Sequence, residues 1–433
     1  MEMATGIPSP KTNANDEFTF ELTYQGKIPE DKIIFGTQKA KLKEVLSIHG
    51  DYYNQIIFGD NLYILRTLLD NKDIVGKVRL IYIDPPYGTN SSFKSRSQEH
   101  AYDDNLIGDK YLEFIRQRLI LMRELLADDG SIYVHLDSHM AFPVKIIMDE
   151  VFGQQNFRNW ITRQKCNPKN YTRKQYGNIS DYILFYSKTK NYVFNQPFQP
   201  WDEETAKKEY PYVEEETGRR FKKVPLHAPG IRNGETGKAW RGILPPPGKH
   251  WQYTPSKLDE MDKNGEIYWS PNGNPRRKVY LDNSKGIPVQ DIWLNFKDAH
   301  NQNAKITGYP TEKNPNMLKQ IILASSNEGD IVLDAFAGSG TTIAVAEEHR
   351  RKWIAIDNSS LAIKTMLNRL INGTKKMGDF VKKEFETEQL ELLNQRILTN
   401  GLKVYVDENH DVENMEALIH EWADIINFQA NRL

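Results

Sequence analysis

Asp330-Ile331-Val332-Leu333-Asp334-Ala335-Phe336-Ala337-Gly338-Ser339-Gly340-Thr341-Thr342 runs from a short apolar strand into a glycine-rich turn and then a helix, predicted from Thr342 to about His349. A second strand, Trp353-Ile354-Ala355-Ile356, closes on Asp357. Strand, glycine turn, helix, strand and terminal acid form a βαβ unit of the nucleoside-binding kind. Its glycines let the backbone approach a ligand, and its acid accepts ribose hydroxyls. Asp357 follows Gly338 by 19 positions, close to the dinucleotide spacing, so a nicotinamide or flavin cofactor is a candidate. Against it, the third glycine of G-x-G-x-x-G falls on Ile343. A P-loop fits worse, because no Lys follows the glycines. Asp334 would repel a pyrophosphate but can pair with an ammonium group. A ligand with both a ribose and an amino acid moiety suits both acids, which points to S-adenosylmethionine.

Upstream, the same alternation recurs. Tyr53 to Phe58 reads as a strand ending at Gly59-Asp60, with Leu62, Leu65, Leu68 and Leu69 at helical spacing after it. Val78 to Ile83 reads as a buried parallel strand, closed by Asp84-Pro85-Pro86-Tyr87. Two prolines remove two N–H donors, leaving a carboxylate and a carbonyl beside an aromatic ring. That arrangement can grip a planar group bearing an NH2. The polar segment from Gly88 to about Asp104 is expected to be a mobile cover, ahead of a helix from Tyr111 to Leu126. Strand Ser131 to Leu136 and helix Ala141 to Val151 follow, and then a hairpin, Asn159 to Arg163 with Tyr182 to Tyr186, ends the sheet. His135 and Asp137 are read as structural, and no metal site is expected.

The chain has 433 residues, enough for two or three domains, with 39% hydrophobic residues and a mean hydropathy of −0.64. No apolar stretch approaches the roughly 18 residues that span a bilayer, and the N-terminus lacks a signal peptide's apolar centre. A cytoplasmic protein is expected. The single cysteine, Cys166, excludes an intramolecular disulfide and a multi-cysteine zinc site. Net charge is −1, but from Arg158 to Trp251 there are 18 Lys and Arg against 9 Asp and Glu. Any nucleic-acid surface should therefore be local.

Between about Asn195 and Phe296 the alternation stops, and Trp201, Trp240 and Trp251 are interleaved with Arg219, Arg220, Lys222, Lys223, Arg241, Arg276, Arg277 and Lys278. Aromatics among basic residues suit phosphates and base edges. The expected division is an N-terminal arm (1–31), a first α/β half (32–194), an insert (195–300), a second α/β half (301–375) and a C-terminal α-rich extension (376–433). In the extension, a helix (about Glu384 to Leu398), a strand (Leu402 to Val406) and a helix (about Asn414 to Phe428) are predicted.

Carrying both motifs, the chain resembles the β group of DNA amino-methyltransferases, including the type III modification subunits. In that group Asp-Pro-Pro-Tyr comes first, a target-recognition region follows, and Phe-x-Gly-x-Gly comes last, which is the order here. Gly59-Asp60-Asn61-Leu62, Tyr309-Pro310-Thr311-Glu312-Lys313 and Asn327-Glu328-Gly329-Asp330 are similar to further stretches of the group's pattern. Asn314, between Lys313 and Pro315, and Asp rather than Glu at 357 depart from it.

The resemblance implies a Rossmann-like, S-adenosylmethionine-dependent methyltransferase sheet of permuted motif order with an inserted target-recognition domain. It implies catalytic roles for Asp84, Pro85, Pro86 and Tyr87. Cofactor contacts are implied for Asp60, Thr311, Lys313, Asp334, Phe336, Gly338, Gly340, Thr341, Thr342 and Asp357, and DNA contacts for the insert's basic residues. Double-stranded DNA is the implied partner, with a homodimer and a restriction subunit as further candidates by analogy. Asp at the first motif position is more usual for adenine-N6 enzymes, and cytosine-N4 methylation is the nearest alternative. A catalytically idle recognition subunit, a nicotinamide enzyme and a protein-glutamine methylase are the other readings, and the intact Asp-Pro-Pro-Tyr and the late glycine loop argue against them.

Overall fold

The computed structural model describes residues 21–50, 54–86, 91–94, 100–104, 108–168, 174–298, 305–306, 312–373, 375–376 and 400–430. The chain divides into two compact units, one of Met1–Asn195 with Gln290–Leu433 and one of Gln196–Val289.

The larger unit carries a ten-stranded sheet. Its strands are β1 (Leu42–Ile48), β2 (Asn54–Phe58), β3 (Val78–Ile83), β4 (Leu126–Leu136), β5 (Phe157–Gln164), β6 (Ser180–Ser187), β7 (Ile292–Trp293), β8 (Ile331–Asp334), β9 (Lys352–Asp357) and β10 (Leu402–Asp407). Their order across the sheet is β1-β10-β2-β9-β8-β3-β4-β6-β5-β7. From β10 to β4 all neighbours are parallel. Strands covered on both faces need apolar side chains on both, hence Ile56, Ile57, Leu80, Ile81, Val332, Leu333, Ile354 and Ile356 are all nearly or fully buried. The long hairpin β5–β6 is antiparallel, and β6 is antiparallel to β4.

The helices that matter for the site are α1 (Asn61–Leu68), α2 (Asp109–Leu125), α3 (Ala141–Phe152), α4 (Pro315–Ser325), α5 (Thr341–Glu348), α6 (Ser360–Asn372) and α7 (Met415–Ala430). α2 leaves β3 for β4 on one side, packing with α1 and α3, whereas α5 leaves β8 for β9 on the other side, packing with α4 and α6. Right-handed crossovers in opposite directions put these two helix groups on opposite faces. The chain's direction across the sheet thus reverses between β8 and β3, which makes the carboxyl ends of those two strands the place where open α/β sheets bind ligands. Asp334 ends β8 and Asp84 directly follows β3.

Four details depart from expectation. The hairpin does not end the sheet: β7 adds a parallel pair of residues, Ile292 and Trp293, against Thr162 and Arg163. The C-terminal extension is not wholly peripheral, because β10 inserts between β1 and β2 and pairs parallel with β2. β4 begins at Leu126, so Asp129-Gly130 lies within a strand whose register against β3 shifts between Val78 and Leu80. A Cβ on Gly130 would sit 2.9 Å from the Val78 carbonyl, which explains glycine at this irregularity. The polar segment expected as a mobile cover contains a two-stranded pairing, Ser91–Lys94 with His100–Asp104. The N-terminal arm is tied down where described: Tyr24 donates to Glu113 at 2.6 Å and Lys27 bonds Glu150 at 2.9 Å. The helix expected near Glu384 to Leu398 lies outside the described residues.

The smaller unit has a four-stranded antiparallel sheet (Tyr212–Val213, Arg220–Pro225, Pro275–Tyr280, Ile267–Trp269). Its core gathers Leu226, Trp240, Trp251, Leu258, Met261 and Ile267, with helix Pro255–Lys263 supplying two of these.

Candidate active site

Asp84 leaves β3 half-buried, with Pro85 buried beside it. Its Oδ2 lies 2.9 Å from Lys313 Nζ, and that lysine is only 9% exposed. Lys313 stands just before α4, whose N-cap is Asn314: the Asn314 side chain accepts from Asn316 N–H at 2.9 Å. Asparagine before Pro315 is therefore a helix start, since proline suits the first helical position. Glu312, one residue earlier, pairs with the buried Arg369 on α6, and Arg369 also donates to Thr341 Oγ1 at 2.7 Å. Glu312 is thus tied to the helix that follows the glycine loop, and Lys313 to the turn at Asp84. Tyr87 and Thr311 lie outside the described residues.

In the glycine loop, Asp334 is 2% exposed and accepts from Phe336 N–H at 3.0 Å and from the Thr342 hydroxyl at 2.5 Å. Burial pushes its carboxyl up to about 7, against those two hydrogen bonds, and the nearby Asp84 and Asp357 add to the rise. Asp357 accepts from Gly338 N–H at 2.8 Å and Ser359 N–H at 2.9 Å, and burial raises it to about 6. A buried acid and a half-buried one, both with raised pKa values, lie where a cation and hydroxyl donors would be favoured. Gly340 has φ +71°, a left-handed conformation that glycine adopts without strain.

Asp60 caps α1, accepting from Leu62 N–H at 2.8 Å, and pairs with Arg118 of α2 at 2.8 Å. Arg118, 4% exposed, also donates to Asn61 Oδ1 at 2.5 Å, and Asn61 donates to the Ala335 carbonyl at 2.6 Å. The Phe114 ring lies 3.5 Å from the Arg118 guanidinium and packs on Phe336 at 6.1 Å between centroids. The Asp60 turn and the glycine loop are thereby joined through a buried arginine. Sequence reading missed Arg118 and Arg369, because a buried helical arginine is satisfied by acceptors far away in the chain. Asn61 was legible within Gly59-Asp60-Asn61-Leu62.

Beneath the Asp84 turn, Tyr82 OH lies 2.9 Å from His135 Nδ1, and His135 Nε2 faces Asp181 at 3.4 Å. Asp181 is also 2.8 Å from Lys165 Nζ and 3.5 Å from Arg163. Burial pushes His135 down from the usual histidine range, and Lys313 adds to that shift. His135 is fully buried, and Asp137 accepts from the N–H groups of His139 and Met140. Among the described residues, no group of three His, Cys, Asp or Glu could hold a metal.

In the insert, several of the expected DNA-contacting cations have partners of their own. Arg219 makes a two-pronged contact with Asp282 at 2.7 and 2.9 Å and covers the Tyr280 ring. Arg241 pairs with Asp259 and Asp262, and Lys278 with Glu214. Lys223 sits between the Tyr212 and Tyr268 rings at 3.6 and 3.5 Å, and Lys222 approaches Tyr210. Arg220 donates to the Tyr210 carbonyl and Arg277 to Tyr253 OH, while Arg276 is exposed.

A switch point flanked by an Asp-Pro-Pro turn and an acid-lined glycine loop is the architecture of a nucleoside-binding α/β protein. The DNA methylase family model of the N6/N4 type matches residues 78–369. The chain is 48% identical over 402 residues to the type II methyltransferase M.EcaI of Enterobacter cloacae, covering 89% of this chain and 87% of that one. It is 28% identical over 375 residues to the StyLTI type III Mod subunit of Salmonella typhimurium, covering 75% of this chain and 56% of that one. It thus spans about half the length of such Mod subunits. Among solved structures, the M1.HpyAVI–SAM complex aligns at 18% identity and a TM-score of 0.41, covering 73% of this chain and 98% of that one.

The chain belongs to the N6/N4 DNA methylase family. It is an S-adenosylmethionine-dependent DNA methyltransferase of the restriction-modification type. No helix of the described residues is long and apolar enough to cross a membrane.

Proposed function

We propose that the enzyme methylates the exocyclic N6 amine of an adenine flipped out of double-stranded DNA. The observation that carries this reading is the placement of Asp84 and Asp334 at the carboxyl ends of adjacent parallel strands, on either side of the switch point. Asp334 would hold the methionine ammonium and Asp357 the ribose, with Asp60 near the adenine moiety. Gly338 and Gly340 let the backbone come close to the cofactor, while Phe336, Thr341 and Thr342 shape the loop. Bound there, S-adenosylmethionine supplies an electrophilic methyl group.

An adenine amine is a weak nucleophile because its lone pair is delocalised into the ring. The Asp84 carboxylate and the Pro85 carbonyl, accepting its two N–H groups, favour a pyramidal nitrogen whose lone pair is directed outward. Tyr87 would stack on the extruded base, whose unstacking costs roughly a few kcal/mol. Among the insert's Arg219, Arg220, Lys222, Lys223, Arg241, Arg276, Arg277 and Lys278, phosphate contact falls first to the exposed Arg276, since Arg219, Arg241 and Lys278 already pair with acids, and the enzyme's expected setting is the cytoplasm.

The preference for adenine rests on aspartate at position 84. The test is base-resolved mapping of DNA exposed to the protein with S-adenosylmethionine, using Asp84→Ala as control. N6-methyladenine at one sequence, absent from the control, is expected. N4-methylcytosine would replace the adenine assignment, and cofactor binding without modification of any DNA would mark an idle recognition subunit.

A further inference from the structure

We propose that Lys313 is a positioning residue for the Asp84 carboxylate, not a ligand of the cofactor. The inference rests on the reading of Asp84 as the acceptor of the target amine. A buried ammonium group stays ionised only beside a compensating charge. For Lys313, 9% exposed, Asp84 Oδ2 at 2.9 Å supplies such a charge.

The backbone on both sides of Lys313 is held. Asn314 caps α4 through Asn316 N–H, donates to the Lys297 carbonyl at 2.9 Å, and is followed by Pro315 with its fixed φ. Glu312 is pinned to Arg369, which bonds Thr341 at the start of α5. The dipeptide Glu312-Lys313 therefore ties the glycine-loop helix to the Asp84 turn. A carboxylate at the end of a strand can rotate about two side-chain bonds, and an ammonium fixed on one oxygen removes that freedom. The acceptor is then already oriented when the amine arrives. The cofactor's ammonium and sulfonium would be repelled by Lys313, and its carboxylate would have to compete with Asp84, which already holds the lysine at 2.9 Å.

The experiment uses the full chain, with single-turnover DNA methylation and equilibrium S-adenosylmethionine binding measured on Lys313→Met, Lys313→Gln and Lys313→Arg, alone and with Asp84→Asn. Loss of orientation at the reacting centre should lower the methylation rate of Lys313→Met and Lys313→Gln by about tenfold or more. Cofactor affinity should change by less than about twofold, and Lys313→Arg should recover most of the rate. In the Asp84→Asn background Lys313→Met should cost nothing further, as expected of groups that act as a unit. A loss of cofactor affinity that accounts for the lost rate, or an equal rate loss in both Asp84 backgrounds, overturns the positioning role while the reading of Asp84 stands. Undiminished methylation by Asp84→Asn overturns that reading itself.

Discussion

Thr342 donates its hydroxyl hydrogen to Asp334 at 2.5 Å, so the carboxylate that ends β8 is held by the helix that begins just beyond the glycine loop. The bond does not offset burial, which pushes the Asp334 carboxyl up to about 7. The proposed cofactor site is therefore built around an acid with no cationic partner among the described residues.

That imbalance gives a pH dependence. Asp334 at about 7 and Asp357 at about 6 both lie above the unfolded aspartate value of about 3.9. Raised folded pKa values mean that their contribution to stability is fully present below pH ~4 and is lost as pH rises through 6 to 7. In cofactor-free enzyme, the unfolding temperature should fall more steeply between pH 5 and 8 than in Asp334→Asn. S-adenosylmethionine, whose ammonium supplies the missing cation, should raise that temperature more at pH 8 than at pH 5.5. Thermal unfolding across this range, with and without the cofactor, provides the measurement, and identical pH slopes for the two proteins would contradict the account.

At the Asp84 turn the expected effect is on chemistry, not on cofactor binding. Asp84→Ala should lower the methylation rate by about 100-fold or more, comparable to removing one preorganised polar group from other active sites. Calorimetric affinity for S-adenosylmethionine should be nearly unchanged, since Asp334, Asp357 and Asp60 hold that ligand in the proposed site.

The chemistry-bearing strands were legible because they are short apolar runs with acids at their ends: 78–83, 331–334 and 352–357 need no distant information. Long-range pairing was not. Nothing in Leu402 to Val406 says that the strand lies between β1 and β2, because neighbours in a sheet are fixed by packing and topology. The insert's charges show the same limit. Arg219 and Lys278 read as free cations, yet Asp282 lies 63 residues from the first and Glu214 lies 64 from the second. A composition count sees the basic excess but not which charges the fold has already neutralised.

Those internal pairs sort the insert's residues. Arg276 is exposed, while Arg219 is committed to Asp282. Arg276→Ala should weaken DNA binding and reduce the slope of log affinity against log salt by about 0.9, the value of one lost phosphate contact. Arg219→Ala should change that slope less, because its charge is already compensated. Fluorescence anisotropy at several salt concentrations distinguishes the two, and equal slope changes would show that the Asp282 pair opens on DNA.

Two glycines separate backbone strain from steric strain. Gly76 has φ +67° with open space where a Cβ would lie, whereas a Cβ on Gly340, at φ +71°, would meet Met366 Cγ at 2.6 Å. Gly76→Ala should therefore cost only the left-handed penalty of about 1–2 kcal/mol. Gly340→Ala carries the same penalty, plus displacement of the Met366 side chain on α6, and should cost about 1–3 kcal/mol more, the usual range for overpacking. It should also weaken S-adenosylmethionine binding, since the loop that begins α5 must move, while Gly76→Ala should leave it unchanged. Chemical denaturation alongside cofactor titration tests both halves, and equal effects of the two substitutions would show that the glycine loop yields to Met366 without cost.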